Sequence, residues 1–257
     1  MYKAMNSELR KKVILDRLNG QGSITTQEAM NLCGISEITV RRDLTGLEAK
    51  GLLVRTHGGA VQSKAGSQLF TYDLKINQNR QNKEEICEAA ARFIKNNDII
   101  FIDCGTTLSY LTKYITKFES LIVITNSLPV ISELINFSNI KLILIGGEVV
   151  NDRKAIYGPF AESNIAQYHA DKAFIGADGV SLENGLSSYD EKEAAITLRM
   201  AENAIEVFLL CDSSKIEKNS FVKFAPFSTV NYLVTDKDLD ATYIKKYKEH
   251  NIVIIKG

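Results

Sequence analysis

The chain has 257 residues, 45% of them hydrophobic, enough for one large domain or two unequal ones; its 31 basic and 31 acidic residues balance overall, but residues 1–64 carry 10 basic and 6 acidic ones, as a nucleic-acid arm on an acidic body would. No apolar core of a signal peptide and no run approaching a membrane span are found, so a cytoplasmic protein with no membrane partner is expected. The four cysteines (Cys33, Cys87, Cys104, Cys211) are scattered, without a CxxC pair or a histidine at ligand spacing, which argues against a zinc site or a disulfide framework; neither metal nor cofactor is expected.

Residues 7–19 read as a first helix, with Leu9/Val13 and Ile14/Leu18 as apolar i,i+4 pairs. Thr25-Thr26-Gln27-Glu28 has capping-box spacing and opens a short second helix that Gly34 can stop. Ser36 is a suitable N-cap for a third helix, whose Val40, Leu44 and Leu47 fall on one apolar stripe. Thr39, Arg42 and Thr45 point away from that stripe and Arg41 flanks it. Arginine can bond guanine edges bidentately, and threonine can bond bases or phosphates. Two short helices joined by a glycine turn, the polar-faced one second, form a helix-turn-helix that docks in the major groove. Leu52-Leu53-Val54 and Thr56, turning at Gly58-Gly59, read as a wing from which Arg55 and His57 could reach DNA.

The stretch from Arg10 to Ala60 resembles the winged helix of the DeoR family of bacterial transcriptional regulators. Thr39-Val40-Arg41-Arg42-Asp43-Leu44, followed by Arg55-x-His57-Gly58-Gly59-Ala60, carries the likeness. The resemblance implies operator DNA as a partner and a homodimer or homotetramer as the working form. Ser36, Thr39, Arg41, Arg42, Thr45, Arg55 and His57 are the candidate DNA contacts.

Residues 61–80 change character and read as a linker, with an extended segment around Phe70-Thr71-Tyr72, so the domains are expected at 1–60 and 81–257. The family usually has an arginine eight residues before the lysine of the next helix. This chain has Lys75 there, eight before Lys83, and Lys75 is left out of the expected site because lysine does not replace a bidentate arginine.

From Lys83 the pattern becomes helix, strand, helix, strand. Continuous apolar runs at 98–103, 121–125, 141–145, 172–176, 207–211, 232–235 and 252–255 predict a mainly parallel α/β sheet covered on both faces. In such sheets ligands bind beyond the carboxyl ends of the strands. There the chain turns small and polar: Asp103-Cys104-Gly105-Thr106-Thr107, Thr125-Asn126-Ser127, Gly146-Gly147-Glu148, Gly176-Ala177-Asp178-Gly179 and Asp212-Ser213-Ser214-Lys215. Gly105, Thr106 and Thr107, at an expected helix start, read as a phosphate site. No G-x-G-x-x-G or Walker loop occurs, so dinucleotides and nucleoside triphosphates lack support.

Residues 75–250 resemble the sensor domain of the same family, which is similar to ribose-5-phosphate isomerase and binds phosphorylated sugars or polyols. Asp103-x-Gly105-Thr106-Thr107, Thr125-Asn126, Gly146-Gly147, Asp190-x-x-Glu193-Ala194 and Asp212-x-Ser214-Lys215 carry this likeness. It implies that Gly105, Thr106 and Thr107 hold a phosphate, that Asp103 and Asn126 meet hydroxyls, that Lys215 adds charge and that Glu193 faces the sugar. Gly146, Gly147 and Asp178 complete the candidate effector site. The expected function is a regulator, by default a repressor of a sugar or polyol operon, relieved by a phosphorylated sugar. The alternative is a sugar-phosphate isomerase or deaminase with a fused helix-turn-helix, with Glu193 and Lys215 as its acid–base pair. A redox switch at Cys104 is a weaker idea, since a helix N-terminus can lower a thiol pKa.

Overall fold

The computed structural model describes residues 5–21, 23–49, 52–56, 58–61, 72–250 and 252–257. The chain divides into two compact units, Met1–Thr71 and Tyr72–Gly257. The expected linker therefore contributes its last residues to the second unit, and its residues 62–71 lie outside those described.

The first unit contains α1 (Ser7–Gln21), β1 (Ser23–Thr25), α2 (Thr26–Cys33), α3 (Glu37–Ala49), β2 (Val54–Thr56) and β3 (Gly59–Val61). The expected capping box forms: Glu28 N donates to Thr25 Oγ1 (3.1 Å) and Thr25 N to Glu28 Oε2 (2.8 Å). Gly34 ends α2 at φ +65, its N–H donating to the Met30 carbonyl. Val40, Leu44 and Leu47 are buried, and α3 packs against α1 and α2. Burying such a side chain contributes roughly 1.5–3 kcal/mol. The wing is a three-stranded antiparallel sheet in the order β1-β3-β2. Its first strand was not legible in the sequence. Gly59 is needed at its middle, because a Cβ there would lie 2.1 Å from the Ile24 carbonyl oxygen.

The second unit begins with α4 (Tyr72–Lys75) and α5 (Arg80–Ala91). Tyr72 thus starts a helical turn where the sequence suggests extended chain; Phe70 and Thr71 lie outside the described residues. Strands β4 (Ile99–Ile102), β5 (Leu121–Thr125), β6 (Ile140–Leu144), β9 (Ala170–Ile175), β12 (Ala204–Leu210), β14 (Tyr232–Thr235) and β15 (Val253–Lys256) form one sheet. Its order is β15-β14-β12-β9-β4-β5-β6 and every pairing is parallel. These are the seven apolar runs read from the sequence. Alternate strand residues serve opposite faces. Phe101, Ala173, Ile175, Val207 and Leu209 belong to one core with Ile196 and Met200 of α9 (Glu191–Glu202). Ile100, Ile102, Phe174, Phe208 and Leu210 belong to the other with Ile86, Ala89 and Ala90 of α5. Burial on both faces explains why these strands read as continuous rather than alternating runs.

Sequence order runs outward from β4 through β5 to β6, then returns to the other side of β4 at β9 and continues to β12, β14 and β15. The reversal makes a crevice between the carboxyl ends of β4 and β9, where open parallel sheets take their ligands. Two small features cover that end: the hairpin β7 (Glu148–Val150) and β8 (Ala155–Tyr157), and an antiparallel sheet of β10 (Gly179–Ser181), β11 (Gly185–Ser188) and β13 (Val222–Ala225).

Candidate functional site

On α3 the arginines and the aspartate of Arg41-Arg42-Asp43 divide their work. Asp43 is 3% exposed and faces inward, taking Arg10 Nε at 2.8 Å and a second guanidinium nitrogen at 3.3 Å. This two-pronged pair ties α3 to α1. Arg42 is exposed, with no ion pair or hydrogen bond to another described residue. Arg41 is exposed on an i,i+4 pair with Glu37 (2.6 Å). Thr45 is exposed and accepts from Arg55 (2.9 Å), which also meets Glu48, so Arg55 of the wing is drawn onto α3. The Ser36 carbonyl accepts the first helical amides, while its hydroxyl lies 3.1 Å from that of Thr39. The sequence had that hydroxyl capping an amide. Ile38, 74% exposed on the same helix, was overlooked; an apolar side chain standing in water on a helix of arginines is the available signal. His57 lies outside the described residues.

In the sheet unit, Asp103 follows β4 and is 3% exposed. Its oxygens accept from Cys104 N (2.7 Å), Thr197 Oγ1 (2.8 Å) and, more loosely, Gly176 N (3.5 Å). Burial raises its pKa against these bonds. A carboxylate so engaged braces β4, β9 and α9, a different task from the hydroxyl recognition expected of it. Asn126, fully buried, likewise donates Nδ2 to the Ile156 carbonyl (3.2 Å) and holds β8; its Oδ1 has no hydrogen-bond partner among the described residues. Gly146 and Gly147 open the β7–β8 hairpin, with Gly147 against the Tyr157 carbonyl.

After Asp103 the expected α-helix start is a 3-10 turn, Leu108–Leu111, running into the short α6 (Thr112–Ile115). The Gly105 carbonyl closes the turn by accepting Ser109 N and Oγ, both at 3.1 Å. Thr106 is half-buried, whereas Thr107 is 4% exposed and its carbonyl accepts the Cys87 thiol (3.1 Å). Cys104 is buried against the Tyr157 hydroxyl, and burial pushes its thiol well above the usual range, which opposes a reactive thiolate.

The charged centre draws on residues far apart in the chain. Asp178, after β9, accepts Lys75 Nζ at 2.9 Å and Tyr189 N at 3.1 Å. Burial works against its charge, but Lys75 and Lys215 outweigh burial and hold it down to about 2. Burial lowers the Lys75 pKa in turn, with Asp178 opposing. Lys215 donates to the Ala177 carbonyl (2.7 Å); burial disfavours its charge, yet Cys211, Asp178, Asp212 and Glu193 raise its pKa. Lys83 is 4% exposed, donates to the Lys75 carbonyl at 2.5 Å, and falls to about 8 through burial and the neighbouring Lys215. Glu193 is no solvated helix carboxylate. Burial raises it to about 7, although Arg153 lies 2.6 Å from Oε2, without the alignment of a hydrogen bond.

The structure therefore brings Asp178, Glu193 and Lys215 together and adds Lys75, Lys83 and Arg153, which sequence reasoning left out. For Lys75 the signal was present, in its spacing from Lys83. Lys83 reads as an ordinary helix lysine and Arg153 as a turn residue. Among the described residues no group of His, Cys, Asp and Glu could hold a metal ion, and no helix is long and apolar enough to cross a membrane.

Residues 10–65 match the DeoR-like helix-turn-helix domain and residues 78–237 match the DeoR C-terminal sensor domain. The chain belongs to the DeoR family. Among DeoR-family relatives, it is 36% identical to the lactose phosphotransferase system repressor of Lactococcus lactis, over 97% of this chain and 99% of that protein. It is 33% identical to the HTH-type transcriptional regulator IolR of Bacillus subtilis, over 91% of this chain and 92% of that protein. Part of the chain is also similar to ribose 5-phosphate isomerase A of Methanocaldococcus jannaschii, with TM-score 0.40 and 18% identity over 54% of this chain and 55% of that one. This DeoR-family chain is a transcriptional regulator and not an enzyme.

Proposed function

We propose that the chain represses a sugar or polyol operon and leaves its operator when a phosphorylated sugar occupies the carboxyl-end crevice of the sheet. Three lysines, Lys75, Lys83 and Lys215, converge there beside Asp178, and this convergence carries the reading. Lys215 and the Gly105-Thr106-Thr107 turn hold the phosphate. Asp178 and Glu193 meet hydroxyls, and Asp103 and Asn126 keep the surrounding loops in place. Gly146 and Gly147 shape the rim. The names of the relatives, a lactose phosphotransferase system repressor among them, support a sugar-linked role.

Operator bases are read by Arg41 and Arg42, with Ser36, Thr39, Thr45, Arg55 and His57 on bases or phosphates around them. Two copies are needed, because a dimer sets two recognition helices on half-sites about one helical turn, ~34 Å, apart. A cytoplasmic homodimer or homotetramer is the proposed working form. The test is a mobility shift of the full chain on DNA upstream of its own gene, titrated with a panel of sugar phosphates. Specific binding at moderate salt, lost with one panel member, is expected. Binding seen only at low salt is unspecific and would sink the reading.

A further inference from the structure

The β7–β8 hairpin meets the charged centre and α4 at once. Its base is fixed on the carboxyl end of β5: Ile156 N donates to the Asn126 carbonyl (2.9 Å) and Leu128 N to the Lys154 carbonyl (3.0 Å). Its tip is a four-residue turn, 151–154, closed by Arg153 N on the Val150 carbonyl and Lys154 N on the Asn151 carbonyl, both 3.1 Å. From this tip Arg153 turns inward to Glu193 with 14% of its side chain exposed. The residues on either side of Arg153 hold α4. Tyr72 N donates to the Asp152 carbonyl (2.8 Å), and Lys154 pairs with Asp73 and sits 5.2 Å from the Tyr72 ring centre. The other end of α4 is fixed in the charged centre by Lys75 on Asp178.

Resting on the effector reading above, we propose that Arg153 binds the effector's phosphate and that the hairpin tip relays occupancy to Tyr72–Lys75. A guanidinium fork matches phosphate oxygens, and Arg153 lies beside Glu193 and near Asp178, in the centre where Lys75 and Lys215 converge. A phosphate entering beside Lys75 and Lys215 draws Arg153 away from Glu193. Asp152 and Lys154 adjoin Arg153 in one tight turn, so their hold on Tyr72 and Asp73 changes with it. Tyr72 is the first residue of the sheet unit, and the chain preceding it leads to the DNA-reading unit. An effector that binds the shifted tip more tightly biases the regulator toward that state.

The test uses the full chain, thermal shift with a fixed panel of triose, pentose and hexose phosphates, and fluorescence anisotropy on DNA upstream of its own gene. In Arg153→Ala the concentration of the best panel member needed for a given rise in Tm should increase about tenfold or more, the scale of a charge-assisted hydrogen bond. Effector-free DNA affinity should stay as in the parent, and Arg153→Lys should recover part of the loss. Lys154→Glu and Asp73→Lys, both at exposed side chains, should each keep the stabilisation and lose effector-driven release of DNA. The double reversal Lys154→Glu with Asp73→Lys should regain release, which a merely structural pair would not predict. Unchanged stabilisation in Arg153→Ala overturns the phosphate role, and intact release in both single reversals overturns the relay. A parent chain that no panel member stabilises brings down the effector reading and this inference with it.

Discussion

The two units hold their cations in opposite ways. In the DNA-reading unit Arg42 stands in water without a described partner, and the Arg41 guanidinium has, among the described residues, only the exposed Glu37. In the sheet unit Lys75, Lys83, Arg153 and Lys215 are withdrawn from solvent and each is set on a carboxylate or carbonyl. Exposed cations suit an extended polyanion, whose released counterions drive binding and whose contacts weaken with salt. Recessed cations held beside carboxylates suit a small anion that can enter and exchange partners, while an extended strand cannot follow. Under the proposed function, the depth at which the chain keeps its charge separates two phosphate-bearing ligands.

The largest effect is expected inside the recognition motif, where Asp43 is buried beside two exposed arginines. Asp43→Ala removes the carboxylate that both Arg10 nitrogens bond and should lower the denaturation midpoint of the DNA-reading unit more than any exposed substitution in the motif. Chemical denaturation reads this, and an unchanged midpoint would remove the distinction between inward and outward motif residues. Next comes Arg42→Ala, expected to lower specific operator affinity by about 10- to 100-fold, the value of one lost bidentate base contact, with thermal stability unchanged. Arg41→Ala should act in the same direction. Retained footprints in both variants would contradict the assignment.

Lys215→Ala should leave operator binding intact and raise the effector concentration for half-release by about tenfold or more, as loss of one charged contact does. Thr106→Ala should do the same to a smaller extent. Anisotropy titrations measure both, and release at parental concentrations would place the phosphate elsewhere. The smallest effect concerns pH. Glu193 is raised in the fold from an ordinary 4.5 to about 7. Between those values the folded chain keeps a proton that the unfolded chain has lost, so this group lowers stability as pH rises through the window. Glu193→Gln should flatten that part of the effector-free Tm against pH, and an unaltered slope would show that the group titrates normally.

The DNA-reading unit was legible almost throughout, because its signals are local: a capping box four residues long, a glycine stop, and a stripe of Val40, Leu44 and Leu47. The seven strands of the parallel sheet were legible for a related reason, since burial on both faces leaves unbroken apolar runs. Apart from β2 and β3, marked by the glycine pair between them, the small strands were not. β1, β7, β8 and β10 are three residues each, too short to show a period. At the site, polarity at the strand ends marks the loops where Asp178, Glu193 and Lys215 meet, but not the bonds each side chain makes. Asp103 and the Nδ2 of Asn126, read as groups for ligand hydroxyls, bond inside the protein. Lys75, excluded on sequence because the family has an arginine there, pairs with Asp178.

By itself the sequence determined the kind of protein: an amphipathic recognition helix on a winged unit, joined to a parallel sheet with small polar loops at its strand ends. Those properties depend on neighbours within one or two turns of helix or one strand, where spacing dictates which face is buried. Tertiary structure alone decided which charges meet. Lys75 and Asp178 are 103 residues apart and 2.9 Å from one another because the strand order reverses beside β4 and gathers distant loops at one end. Electrostatics depends on distance in space and on burial, and both follow from strand order rather than from any spacing along the chain.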